Sequence, residues 1–211
     1  MARNDDHITL YSEYVCPFCY LGRRSLAAYQ ETRDSELQID WQPFDLRSQK
    51  RGPDGEIDHS VDDGKDEAYF DQVRQNVARL KEKYDADEML ALDDLPENLD
   101  SLDAQVASFY VNTEYPERWL AFDEAIFEAL WIEGRDIGDV DVLADIAEET
   151  GLDGDEIRTA LADETLRDRL RKQFTEAQQD GVTGVPTFVY DGYGARGAVP
   201  PAQLERLVEG T

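Results

Sequence analysis

Histidine and cysteine are nearly missing from this 211-residue chain: His7, His59, Cys16 and Cys19 are the whole supply. Four-ligand zinc needs thiols and imidazoles in groups, and neither histidine has a partner nearby in sequence, so no metal site is expected. Long apolar runs are missing as well. No stretch approaches the roughly 20 residues that cross a bilayer. Cations are scarce, with 21 Lys+Arg against 48 Asp+Glu and a formal net charge of −27. Phosphate recognition needs clustered cations, so nucleic acid is not an expected partner. An anionic membrane would repel the same surface. The opening Met1-Ala2-Arg3-Asn4-Asp5-Asp6 carries no apolar signal segment, which makes the cytoplasm the expected location. No internal repeat or low-complexity tract is visible.

What the chain has in excess is negative charge, and it is spread over the whole length: Asp62-Asp63, Asp93-Asp94, Glu148-Glu149, Asp153, Asp155 and Glu156 are examples. Self-repulsion of this size destabilises a compact state in dilute buffer. At ~1 M salt the Debye length falls to about 3 Å and the repulsion is screened. The composition therefore points to a halophile. Hydrophobic residues still make up 41% of the chain, enough to build a substantial core.

The two cysteines stand three residues apart in Val15-Cys16-Pro17-Phe18-Cys19-Tyr20. They follow a short apolar run, read as a strand over residues 7–15, and they open an amphipathic segment reaching about Thr32. Thiols at i and i+3 on a first helical turn share a face and can close a disulfide. A helix N-terminus stabilises negative charge, which favours a thiolate on the first sulfur. Pro17 suits the first helical turn, where its missing N–H costs nothing. In a reducing compartment such a lone pair is a dithiol redox site rather than a structural staple.

Leu37 to Pro43 alternates apolar with polar residues and reads as a second strand, parallel to the first across the helix. Pro43 marks an edge. Residues 45–64 form a polar loop. Helical periodicity resumes at Tyr69, Val73, Val77 and Leu80. Further helices are expected over Ala104–Val111 and over Pro116–Glu133, the latter with Leu120, Ala121, Phe127, Leu130 and Trp131 inward. Three more follow. One starts at Asp139 and stops at Gly151, one opens at Asp153 or Asp155 and runs through Leu161, and one covers Leu166 to Ala177. After Asp180 the period changes again. Thr187–Tyr190 reads as a strand, Asp191-Gly192 as a hairpin turn, Ala195–Val199 as its partner and Gln203–Val208 as a final helix. This is the element order of an α/β thioredoxin fold, a central mixed sheet flanked by helices, with a large all-helical insertion. Residues 1–64 and 179–211 would form the discontinuous thioredoxin-like domain and residues 65–178 the insertion.

Val185-Pro186-Thr187-Phe188 precedes the first strand of the second half. Alone, Pro186 reads as a loop proline. Together with the cysteine pair and the element order it reads as a cis-proline, since an X-Pro bond is the affordable place for a cis peptide. The Val185 backbone would then be open to an extended substrate.

Several segments carry a family resemblance. They are Cys16 to Gly22, Trp41-Gln42-Pro43-Phe44, Asn112-Thr113, Glu133 to Ile137, Gly181 to Val189, and Gly197-Ala198-Val199-Pro200. Nearly the whole chain resembles the DsbA-family thioredoxin-like oxidoreductases of the FrnE type. That type is similar to 2-hydroxychromene-2-carboxylate isomerases and kappa-class glutathione transferases. The isomerase branch has serine where this chain has Cys16, and usually Ala-His-Arg where it reads Tyr115-Pro116-Glu117-Arg118. Phe18 stands where the FrnE type often has tryptophan.

The resemblance implies that Cys16 is the nucleophile, that Cys19 resolves the mixed disulfide, and that Pro186 is the cis-proline with Val185 before it. Tyr14, Phe18 and Phe44 would line an apolar groove beside the sulfurs. Glu13 and Glu31 are candidate proton carriers by closeness in sequence. His59 reads as solvated in its polar loop and His7 as flanking the strand. The expected activity is protein disulfide oxidoreduction. The alternatives are a thiol-dependent isomerase or transferase acting on a small aromatic substrate, and a redox-linked chaperone module. The expected partners are protein or small-molecule thiols and disulfides. No cofactor is expected beyond the redox-active disulfide, with a low-molecular-weight thiol as an admissible co-substrate. The chain would be a monomer or homodimer.

Overall fold

The structure is a computed structural model that describes residues 7–52 and 55–210. β1 (His7–Ser12), α1 (Pro17–Gln30) and β2 (Gln38–Pro43) form a β-α-β unit at the start. Among the described residues six α-helices then lie between β2 and the next strand in the chain: α2 (Glu67–Lys83), α3 (Leu102–Glu114), α4 (Pro116–Trp131), α5 (Val140–Glu149), α6 (Gly154–Leu161) and α7 (Glu164–Gln179). β3 (Thr187–Tyr190), β4 (Tyr193–Arg196) and α8 (Pro201–Glu209) complete the chain. The strand order is β2-β1-β3-β4. β1 runs parallel to β2 and antiparallel to β3, and β3 pairs antiparallel with β4. This is the α/β thioredoxin-like fold with a mixed four-stranded sheet and a helical insertion. Pro43 ends an edge strand, where a missing N–H is tolerated.

The sheet is covered on both faces. Ile8, Leu10 and Phe188 pack with Leu26 and Tyr29 of α1 and Leu204 of α8. Tyr11, on the opposite face, packs with Phe44 and with Ala177 of α7. A larger core runs without interruption from Tyr14, Cys16, Cys19 and Trp41 into α3, α4, α5, α6 and α7. The insertion therefore shares one core with the cysteine pair. Among the described residues no helix is long and apolar enough to cross a membrane.

Several expected boundaries move, each for a local reason. β1 stops at Ser12 instead of reaching residue 15, because the Tyr14 carbonyl accepts from Trp131 Nε1 at 2.8 Å instead of entering a ladder. β4 begins at Tyr193 and ends at Arg196, not at Ala195–Val199. Asp191 and Gly192 both take positive φ, 49° and 79°. They form a two-residue turn that pairs Tyr190 with Tyr193 at once. On α4 the inward stripe is Trp119, Phe122, Asp123, Ile126, Phe127, Leu130 and Trp131, while Leu120 and Ala121 face outward. On α2 only Val77 and Leu80 are buried, and Tyr69 is exposed. Two helix entries follow expectation more closely, with the Asp139 and Asp153 side chains capping α5 and α6, while α7 begins before the expected Leu166, capped by Asp163.

Candidate active site

Cys16 is the N-cap of α1, with extended backbone (φ −85°, ψ 112°). Its carbonyl accepts from the Cys19 and Tyr20 N–H groups at 3.0 and 3.4 Å, the first bonds of the helix. Pro17 follows at the position where a missing N–H is free. Both thiols are unpaired, and they differ in depth: Cys16 is 4% exposed and Cys19 is 0%. Burial pushes the Cys19 thiol well up, and the neighbouring Cys16 adds to the push. A hydrogen bond from the Glu13 backbone opposes it, and the Glu13 carboxylate raises it further. Both sulfurs are buried, and Cys19 is the one held as a thiol.

The second half of the chain supplies the facing wall. The Cys16 S–H donates to the Val185 carbonyl at 3.6 Å. The Val185–Pro186 peptide is cis. The Pro186 carbonyl accepts from Gly197 N–H at 2.8 Å, and Thr187 Oγ1 donates to the Gly184 carbonyl at 2.7 Å, which ties the loop to the hairpin. Arg196 of β4 clamps the same loop by donating to Thr183 Oγ1 at 2.8 Å. Among the described residues the Val185 N–H has no hydrogen-bond partner. Gly22 of α1 is what lets the proline ring sit here. A Cβ at that position would lie 2.9 Å from Pro186 Cγ and 3.3 Å from Phe188 Cζ.

The structure sorts the expected groove residues into two kinds. Phe18, Val185 and Val15 are half-buried and sit at the rim of the core that contains both cysteines. Tyr14 is turned inward, 1% exposed, with its hydroxyl donating to Asp123 Oδ1 at 2.9 Å. It is core, not groove wall. Phe44, 8% exposed, packs under the sheet beside Tyr11 and Ala177. Both are drawn inward because apolar partners from α4 and α7 arrive on top of them, which local sequence does not show.

The two candidate carriers part in the same way. Glu31 is exposed at the far end of the 14-residue α1, about 20 Å from the cysteines at 1.5 Å per residue. Glu13 is 2% exposed. Its carboxyl is pushed up to about 7, mainly by burial. Hydrogen bonds from Ser101 and from the Val15 N–H, and the charge of Arg47, pull the other way, and Asp45 adds a smaller push upward. The Val15 N–H donates to Glu13 Oε1 at 3.2 Å. His7 and His59 are exposed. Among the described residues no group of three or more His, Cys, Asp or Glu side chains is placed to hold a metal ion.

Sequence reasoning missed Asp123, Arg23, Ser101 and Trp131 as neighbours of the site. Asp123 did carry a signal, being a carboxylate in the apolar stripe of α4, four residues after Trp119 and four before Phe127. Such a position is rarely charged unless the charge is paired.

The chain is similar to other proteins in sequence and in fold. The uncharacterized protein YwbO of Bacillus subtilis (strain 168) is 28% identical over 204 residues, covering 96% of this chain and 95% of that one. A 2-hydroxychromene-2-carboxylate isomerase superposes with a TM-score of 0.76 at 20% identity, over 97% of this chain and 93% of the other. The cytosolic disulfide reductase DsbM of Pseudomonas aeruginosa, solved with GSH, superposes with a TM-score of 0.61 at 18% identity, over 96% and 93%. At these identities the two structures speak for the fold. A family model, the DSBA-like thioredoxin domain, matches residues 7–209, and the chain belongs to that family.

Proposed function

We propose that this chain is a thiol–disulfide oxidoreductase of the FrnE type, with Cys16 as nucleophile and Cys19 as resolving thiol. The observation that carries the reading is the placement of the pair: Cys16 at a helix N-terminus, 3.6 Å from the Val185 carbonyl of a cis Val185–Pro186 peptide, with the fully buried Cys19 thiol one turn on. In one direction the Cys16 thiolate attacks a substrate disulfide. The substrate S–S bond breaks, one substrate thiolate leaves, and a mixed disulfide forms on Cys16. Cys19 then attacks the Cys16 sulfur, the second substrate thiolate leaves, and the Cys16–Cys19 disulfide closes. The substrate gains two electrons and the protein loses two. A substrate dithiol runs the same steps backward. Glu13 accepts the Cys19 proton as that thiol becomes a nucleophile, a role suited to a buried carboxyl that titrates near neutrality.

An extended substrate segment would lie along Val185, whose N–H lacks a partner, with Phe18 and Val15 as the apolar rim. A glutathione-like thiol is the small co-substrate this reading admits, and the same fold occurs in a cytosolic disulfide reductase solved with GSH. The acidic composition supports a cytoplasm of high salt as its setting.

Reduction of insulin by dithiothreitol in molar KCl tests the proposal. The wild-type protein should accelerate it, Cys16→Ser should abolish the acceleration, and Cys19→Ser should accumulate a mixed disulfide on Cys16. Acceleration that survives Cys16→Ser would refute this assignment and favour a thiol-dependent isomerase or transferase.

A further inference from the structure

The chemistry above uses residues at the two ends of the chain and leaves the insertion without a task. Yet α4 makes three separate contacts with one residue, Tyr14, two positions before Cys16. Asp123 Oδ1 accepts from the Tyr14 hydroxyl at 2.9 Å. Trp131 Nε1 donates to the Tyr14 carbonyl at 2.8 Å. The Phe127 ring lies against the Tyr14 ring with centroids 4.8 Å apart. Residues 123, 127 and 131 recur every four positions and so form one stripe of the helix. All four side chains are at most 3% exposed.

Asp123 is in turn held from α1. Arg23 approaches its Oδ2 to 2.6 Å, without the alignment of a hydrogen bond, and lies 5.8 Å over the Trp119 ring. A buried ion pair of this kind is a poor source of stability, and an apolar residue of similar size would often do as well or better. The Trp131 indole also does more than fill the core, since its N–H donates to a main-chain carbonyl. What the two polar contacts add is direction. They fix the Tyr14 main chain and side chain, and the following turn, closed by Cys16 N–H on the Glu13 carbonyl at 3.3 Å, inherits that placement.

We propose that Asp123 and Trp131 are positioning residues: through Tyr14 they hold the Glu13–Cys16 turn so that the Cys16 sulfur faces the Val185 carbonyl. The proposal rests on the thiol–disulfide reading of Cys16 and Cys19. It makes the helical insertion part of the machinery for exchange and not merely a cover.

The test compares four variants by exchange kinetics and by urea unfolding, in the full chain and in molar KCl. Trp131→Phe loses the donor and leaves a smaller aromatic ring, so its loss of urea midpoint is read against that of Phe127→Leu. Tyr14→Phe loses the hydroxyl bond. Asp123→Asn keeps an acceptor for Tyr14. Phe127→Leu removes packing only and calibrates what instability alone does. Trp131→Phe and Tyr14→Phe should lower kcat for disulfide exchange about tenfold or more, with KM unchanged, since small misplacements of reacting groups have effects of that order. Asp123→Asn should retain most of the activity, and Phe127→Leu should keep kcat at a comparable loss of urea midpoint. The proposal is overturned if both Trp131→Phe and Tyr14→Phe fold with wild-type kcat, or if all four variants lose kcat only in step with their stability. Wild-type protein without exchange activity would instead bring down the functional reading, and the proposal with it.

Discussion

Replacing Glu13 by glutamine removes a charge that the fold holds at a cost. The carboxyl moves from 4.5 to about 7, with burial as the largest cause. A folded-state value above the unfolded one means that the native protein keeps its proton longer, so ionisation opposes folding. Below pH 4.5 both states are protonated and the group contributes no penalty. The penalty grows as pH rises between 4.5 and about 7, and it is complete above that. At about 1.4 kcal/mol per unit, the full penalty is about 3 kcal/mol, of which about 1 kcal/mol is present by pH 5. Glu13 is 2% exposed, so solvent screening discounts little of this. Glutamine keeps a carbonyl oxygen for the Val15 N–H and the Ser101 hydroxyl. Urea unfolding of the reduced protein at constant KCl measures the difference. The Glu13→Gln variant should be more stable than wild type by about 1 kcal/mol at pH 5, widening to about 3 kcal/mol at pH 8. Stability curves that stay parallel across this range would refute the reasoning, because they would show that Glu13 ionises as readily inside the fold as outside it. The same variant should also resolve the mixed disulfide more slowly, having lost the acceptor for the Cys19 proton.

Other substitutions and conditions follow from particular contacts. Gly22→Ala places a Cβ 2.9 Å from Pro186 Cγ; overpacking of this kind costs about 1–3 kcal/mol, and the variant should lose both urea midpoint and exchange rate, whereas unchanged values would show that the proline loop has slack. Arg51 donates to Asp45 at 2.9 Å and to Asp100 at 2.8 Å with little exposure of its own. Arg51→Met should therefore cost about 3 kcal/mol or more by stranding Asp45. Adding Asp45→Asn should restore part of that loss in a double-mutant cycle, and additive losses would count against the pairing. Dialysis that removes KCl should erase the folded circular dichroism signal as screening of the −27 net charge is withdrawn. A full signal in dilute buffer would remove the case for salt adaptation.

Much of the architecture was readable because it is written in local patterns. The parallel β-α-β unit, the insertion of helices and the closing hairpin follow from changes of period and from Asp191-Gly192 and Gly151, where the backbone takes positive φ. The Asp139 and Asp153 caps were readable for the same reason, since each acts within two residues of itself. Which face of α4 is buried was only half readable. Its apolar residues exceed one stripe, and the inward set includes Asp123 while leaving Leu120 out. Tyr14 and Phe44, placed by adjacency in a groove, belong to the core because distant helices cover them.

Sequence by itself determined the pair of thiols on one turn of α1, its place after a strand, and the excess of negative charge. These are matters of spacing and composition, and no tertiary contact is needed to state them. The tertiary structure alone decided the company the thiols keep. Val185 reaches Cys16 across 169 residues and Asp123 reaches Tyr14 across 109. Glu13, one residue from Tyr14, is a buried acid whose neighbours Ser101, Arg47 and Asp45 come from other parts of the chain. Periodicity tells a chain which of its faces must leave water, but what each face meets is chosen by packing among elements far apart in sequence.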